Sequence, residues 1–239
     1  AVVLKRLMGA TPLIPIGFSV GPTNSPLITS QDEAIADMLK TFRAAESYGG
    51  PISYYELNIR CPNLIYEISF YDRSSLGRLL ESIDSINLSR PLFIKMPITL
   101  SDKNTLNLLT EASEHNVAGV ILGNLQKNRR HPDLNQAEVA KYPKGNFSGR
   151  PTRDRSTELI RLAYTNFAGK FIIIGCGGVF SADDAWEKIV NGASLIQLIT
   201  GLIFEGPQLA AAINLGLLKK LGNHNLKNIS GAVGLAVKK

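Results

Sequence analysis

Cysteine is scarce in this 239-residue chain. Cys61 and Cys176 are the only two, too few for a disulfide framework and in keeping with a reducing compartment. Histidine is nearly as rare. His115, His131 and His224 show no metal-ligand spacing, so they read as surface residues and no metal is expected. No stretch approaches the roughly 18 uninterrupted apolar residues of a membrane span. The opening Ala1-Val2-Val3-Leu4-Lys5-Arg6 lacks the order of a signal peptide, and without an initial Met the chain reads as a fragment or a processed product. A low-complexity linker is missing, and so is the G-x-G-x-x-G fingerprint, which disfavours a nicotinamide-binding Rossmann site.

What remains is an ordinary globular composition, 44% hydrophobic and 19% charged, with a net charge of +6. That excess suits an anion, whether a nucleotide phosphate, a carboxylate substrate, a membrane surface or RNA, and does not choose among them. Six short apolar runs stand out: Ile14–Val20, Tyr54–Ile59, Leu92–Met96, Gly119–Gly123, Phe171–Gly175 and Leu195–Thr200. Each suits a parallel strand covered on both faces. Helical patterns lie between them. Ser30-x-x-Glu33 forms a capping box before Ile35, Met38, Leu39 and Phe42, with a stop at Gly49-Gly50. Ser101 precedes Leu106, Leu108 and Leu109; Ser156 and Thr157 precede Leu159-Ile160 and Leu162; Ser181-x-x-Asp184 precedes Trp186, Ile189 and Val190. Pro207 opens a last helix through Leu209, Ile213 and Leu217. The alternation predicts right-handed βαβ units, either in an open doubly wound sheet or in part of a (β/α)8 barrel. Residues 126–152 form the longest irregular region.

Polar residues gather at the C-terminal ends of the predicted strands: Ser19, Asn58, Asn124, Gly177-Gly178 and Thr200. In both architectures that edge carries the active site. The turn Gly175-Cys176-Gly177-Gly178 precedes a Ser-capped helix and allows close backbone approach to a phosphate. Ile199-Thr200-Gly201 adds a hydroxyl at the next strand end. Cys176, set among glycines, reads as a small packing residue. Lys95 interrupts the apolar run Leu92–Met96, where an unpartnered cation is costly, so it is read as functional. Asn58, Asn63 and Asn124 can both donate and accept, which suits a flat ligand with alternating donors and acceptors.

The stretch Tyr54-Tyr55-Glu56-Leu57-Asn58-Ile59-Arg60-Cys61-Pro62-Asn63 resembles the active-site loop of dihydroorotate dehydrogenases. Together with Ser148–Thr157, Ile173–Val179 and Gly192–Pro207 it makes the whole chain similar to the C-terminal three-quarters of a membrane-associated, class 2 member of that family. The resemblance implies a (β/α)8 TIM barrel in one domain spanning residues 1–239, with six βα units present, the third to the eighth. The first two strands and the N-terminal membrane-associating helices would be missing. It implies FMN as cofactor, contacted by Ser19, Asn58, Lys95, Gly123, Gly149, Gly177, Gly178, Ile199 and Thr200. Orotate or dihydroorotate would be held by Asn58, Asn63 and Asn124. Cys61 would be the catalytic base, and Lys95 would stabilise charge on the reduced ring. A quinone acceptor is implied, with no nucleic acid, and a cytoplasmic location peripheral on the inner membrane through a segment outside this chain.

Several positions depart from the family pattern. Ser19 stands where an FMN-contacting Asn is expected, Gly123 and Leu125 replace hydroxyl residues beside Asn124, and Ile199 replaces a tyrosine. Leu64-Ile65-Tyr66-Glu67 stands in place of a Thr-x-Gly-Leu-Arg continuation. Two alternatives remain: a flavin barrel like the tRNA dihydrouridine synthases, which also place a loop cysteine before proline, and a non-catalytic remnant that binds no flavin.

Overall fold

In a computed structural model of the protein, the residues described are 2–60, 65–66 and 68–237. The chain forms two compact units, residues 1–95 with 103–119, and residues 96–102 with 120–239.

The first unit holds helix α1 (Val2–Met8), strand β1 (Ile16–Val20), helix α2 (Gln31–Tyr48), strand β2 (Ile52–Asn58), helix α3 (Arg73–Asp84), strand β3 (Leu92–Met96) and helix α4 (Asp102–Ser113). β1 pairs in parallel with β2, and β2 with β3. Side chains alternate across such strands. The register sets Gly17 and Ser19 beside Tyr54 and Glu56, and Glu56 and Asn58 beside Phe93 and Lys95, so these residues share one face. Tyr55 and Leu57 point the other way into the core, where the Phe42 ring meets Tyr55 edge-on at 5.3 Å. Burying Phe42 contributes roughly 2–3 kcal/mol.

α2 begins where the sequence predicts. Ser30 Oγ accepts from Glu33 N, the Glu33 carboxylate accepts from Ser30 N, and Gly49 ends the helix in the left-handed region at φ 62°. β1 starts at Ile16 rather than Ile14. Pro15 has no N–H to donate, Ile14 is exposed, and the first bond of the edge is Ile16 N to Ser53 Oγ. The sequence reading did not identify α3. Its signals are nonetheless present: Asp72 caps it by accepting from Ser75 N, and Leu76, Leu79, Leu80 and Ile83 form its buried stripe. His115 is not a surface residue. Its ring lies 2.7 Å from Asp84 and 3.5 Å from Glu111, tying α4 to the end of α3.

The second unit holds strand β4 (Gly119–Leu122), helix α5 (Gln136–Lys141), helix α6 (Arg153–Phe167), strand β5 (Ile172–Cys176), helix α7 (Ala182–Val190), strand β6 (Leu195–Gln197), helix α8 (Thr200–Glu205) and helix α9 (Leu209–Asn223). β4, β5 and β6 are neighbours in chain order, and the β5–β6 pairing is parallel. Ser181 caps α7 by accepting from Asp184 N. α7 and α9 pack through Ala185, Leu209 and Ile213. A second cluster joins Ile189, Leu221 and Ala232, with Trp186 packed against it.

Several boundaries differ from expectation: β4 ends at Leu122, β5 is Ile172–Cys176, and α9 starts at Leu209 rather than Pro207. β6 ends at Gln197, and Thr200 is the first residue of α8 rather than the end of a strand. Ser156 and Thr157 do not start α6, which begins three residues earlier at Arg153. They are buried inside it because their hydroxyls serve a partner from another helix, Lys188. Residues 126–152 are less irregular than their composition suggests. Gln126 and Phe147 exchange backbone bonds, and the Arg129 guanidinium sits over the Phe147 ring. The same guanidinium gathers the Val139, Tyr142 and Gly145 carbonyls.

Candidate functional site

At the C-terminal ends of β1, β2 and β3 the parallel register brings three polar side chains together. Ser19 Oγ donates to Glu56 Oε1 at 2.9 Å, and Lys95 Nζ lies 3.7 Å from that same oxygen. Glu56 is 8% exposed, whereas the Lys95 side chain keeps 23% of its surface. Lys95 therefore has the anionic partner that a lysine in an apolar strand requires. The sequence reading named Ser19 and Lys95 and missed Glu56. The signal that could have found it is the alternation of β2: counted from Asn58, position 56 falls on the same face. Asn58 accepts from Arg60 N at 3.3 Å, so part of its amide shapes the turn after β2. Cys61 and Asn63 lie outside the described residues.

The second unit builds a different kind of site, mostly from backbone. Gly177 and Gly178 follow β5 with φ of 110° and 69°, values an L side chain rarely adopts. A Cβ on Gly177 would strike Thr152 Oγ1, and one on Gly178 would come within 2.8 Å of Arg153 Cα. The turn is thus pressed against the start of α6. Thr152 Oγ1 also donates to the Gly149 carbonyl at 2.7 Å. Gly149 lies beside the Thr200 methyl, and Thr200 Oγ1 donates to Ser148 Oγ at 2.8 Å. Gly149, Gly177, Gly178 and Thr200 are therefore one connected group. Ile199, also predicted for this site, is exposed just before α8. Gly123 packs where a Cβ would collide with the Cys176 carbonyl, and Asn124 accepts from Leu125 N at 2.9 Å.

Beneath the glycine turn lies a residue that sequence reasoning did not find. Lys188 on α7 is fully buried, and its ammonium donates to Arg153 O, Ser156 Oγ and Thr157 Oγ1 at 3.1–3.2 Å. Ser156 Oγ in turn lies 2.7 Å from both the Leu122 and the Cys176 carbonyls, joining the ends of β4 and β5. Burial pushes the Lys188 amine down to about 8, partly opposed by Cys176 and nearby carboxylates. The clue in the sequence was a lysine inside the buried stripe Ala185, Lys188, Ile189.

Taken separately, each unit offers donors of a definite kind. Side-chain-free turns at Gly177-Gly178 and Gly149, with the Thr200 and Ser148 hydroxyls, suit a phosphate. In the first unit, Lys95 and the Asn58 amide suit a ring edge of alternating donors and acceptors. Among the described residues no group of three or more acidic, His or Cys side chains is placed to hold a metal. Among them, too, no helix is long and apolar enough to cross a membrane.

Residues 14–221 match the family model described as dihydroorotate dehydrogenase. The chain is 38% identical over 236 residues to a dihydroorotate dehydrogenase (quinone) of Nostoc punctiforme, covering 96% of this chain and 61% of that protein. It is 35% identical over 229 residues to the protein of the same name from Trichodesmium erythraeum, covering 94% and 59%. The chain thus spans about 60% of the length of the curated relatives it matches. Among solved structures, Eimeria tenella DHODH in complex with ferulenol superposes with a TM-score of 0.80 at 22% identity, over 93% of this chain and 62% of that one. The fold is therefore the α/β (β/α)8 TIM barrel, of which this chain carries six βα units.

Proposed function

The chain belongs to the dihydroorotate dehydrogenase family, and on that premise we propose that the protein oxidises dihydroorotate to orotate, with FMN as cofactor and a quinone as final acceptor. The observation that carries this reading is the continuous match over residues 14–221. The reading is supported by the connected group of Gly149, Gly177, Gly178 and Thr200. A dihydrouridine synthase barrel is not favoured, because the family match and the named relatives lie elsewhere.

When bound, FMN supplies the acceptor for the hydride that leaves C6 of dihydroorotate. The roles of this chain's residues follow. Gly149, Gly177 and Gly178 would bring backbone N–H groups to the phosphate, and Thr200, which gives its proton to Ser148 Oγ, would leave the Ser148 hydroxyl to donate a further hydrogen bond. Asn58 would orient the ring of the cofactor, and Asn58, Asn63 and Asn124 would hold the substrate's amide edges. Lys95 would offer the ring a positive charge and a hydrogen-bond donor. Ser19 gives its one proton to Glu56, so toward a ligand it acts through its oxygen lone pairs. Cys61 Sγ takes the proton from C5. A thiol is suited to that role near neutral pH because its ordinary acidity lies close to it. The same reading carries a quinone as acceptor and a cytoplasmic protein in peripheral contact with the inner membrane.

The test is orotate formation by the full-length protein from dihydroorotate with a soluble quinone. Orotate accumulation with one FMN per chain is expected. A flavin-containing protein that forms none would contradict the assignment of substrate.

A further inference from the structure

We propose that Glu56 sets the redox poise of the site by neutralising Lys95; this rests on the flavin reading above. Glu56 Oε1 is shared. It lies 3.7 Å from Lys95 Nζ and accepts the Ser19 hydroxyl proton at 2.9 Å. The register allows this sharing, because Ser19 pairs with Glu56, and Asn58, on the same face as Glu56, pairs with Lys95. The carboxylate is buried at the base of the group, while Lys95 retains access to a ligand and Ser19 is exposed.

The consequence is electrostatic. A lone ammonium beside a flavin stabilises the anionic reduced ring and raises the potential. An ammonium with a carboxylate a few ångströms behind it is a dipole, whose field falls off faster than that of a single charge. Lys95 in this protein still donates hydrogen bonds to a ligand but holds the reduced ring less strongly. The cofactor then gives up electrons more readily, at the expense of the driving force for taking them from substrate. Ser19 fixes the geometry: its hydrogen bond holds the carboxylate oxygen that Lys95 faces. Glu56 is thus a positioning and tuning residue, acting through Lys95 and not on the reacting atoms.

The experiment is spectroelectrochemical titration of the flavin in the full-length protein, wild type against Glu56→Gln, after flavin content is measured in each. Gln keeps the oxygen that accepts from Ser19 and removes only the charge. The expected result is a higher potential in Glu56→Gln, by at least a tenfold change in the reduced-to-oxidised ratio, about 30 mV for a two-electron couple. Lys95→Met is expected to lower the potential more in the Glu56→Gln background than in the wild type. If Glu56→Gln does not fold, Glu56→Asp, which draws the carboxylate back, is expected to move the potential the same way by less. An unchanged potential at full flavin content overturns the inference and leaves the proposed function standing. A wild-type protein that holds no flavin removes both. A Glu56 that merely packs against Ser19 would leave the potential where it is.

Discussion

Two lysines of this chain have opposite surroundings. Lys95, at the end of β3, faces a carboxylate and remains partly open to ligands. Lys188, in α7, is fully buried, and its hydrogen bonds go to a backbone carbonyl and two hydroxyls, all neutral. The first arrangement pairs the lysine with a carboxylate and leaves it available. The second accepts a desolvation cost, seen in an amine pushed down to about 8, to join α7 to the start of α6 beneath the glycine turn. A charged side chain in an apolar segment is therefore not by itself a sign of chemistry. What separates the two is the partner: an anion at an open strand end, or oxygens that need a donor inside a core.

The largest expected effect tests the chemical side. Cys61→Ala leaves FMN bound and slows its reduction by dihydroorotate by about 10²–10⁴-fold, measured by anaerobic stopped flow. Unchanged reduction would remove Cys61 from the role of base. Next in size is the backbone site. Gly178→Ala forces a Cβ toward Arg153 at φ 69°, so FMN affinity, followed by flavin fluorescence on dilution, is expected to fall at least tenfold in a folded protein. Equal affinity would place the phosphate elsewhere.

Lys188 gives the sharpest test of the contrast. Its folded pKa is about 8 against an unfolded value near 10.5, so between these pH values the unfolded chain binds more protons. Stability from this group is therefore fully present above about 10.5 and is lost as pH falls through about 8. Relative to Lys188→Met, the wild type should gain stability between pH 8 and 10, by up to about 3 kcal/mol over the whole window. The comparison is made by denaturant unfolding at each pH. It also cancels the opposing contribution of Tyr55, whose hydroxyl is pushed upward by burial and then by its hydrogen bond to Glu46. Parallel pH profiles for wild type and variant would contradict the desolvation of Lys188. The smallest effect is local: Ser30→Ala removes the α2 cap and should cost about 1 kcal/mol by the same unfolding assay.

The parts legible in the sequence were those written within a few residues. The capping box at Ser30, the cap at Ser181 and the stop at Gly49 depend on neighbours in the chain, and each stands where the sequence places it. The glycine turn after β5 is of the same kind. The parts that were not legible depend on partners distant in sequence. Ser156 and Thr157 look like helix starts until Lys188, thirty residues on, claims their hydroxyls. Glu56 reads as one polar residue in an apolar run until the register puts it between Ser19 and Lys95. α3 is the exception: its signal, Asp72 and the leucines after it, is local and complete.

The measurement that tests the central claim most directly is the flavin absorbance of the full-length protein under anaerobic conditions as dihydroorotate is added. Bleaching of the visible bands, in proportion to dihydroorotate and absent with orotate, is the predicted result. A yellow protein whose bands do not change with dihydroorotate would contradict it.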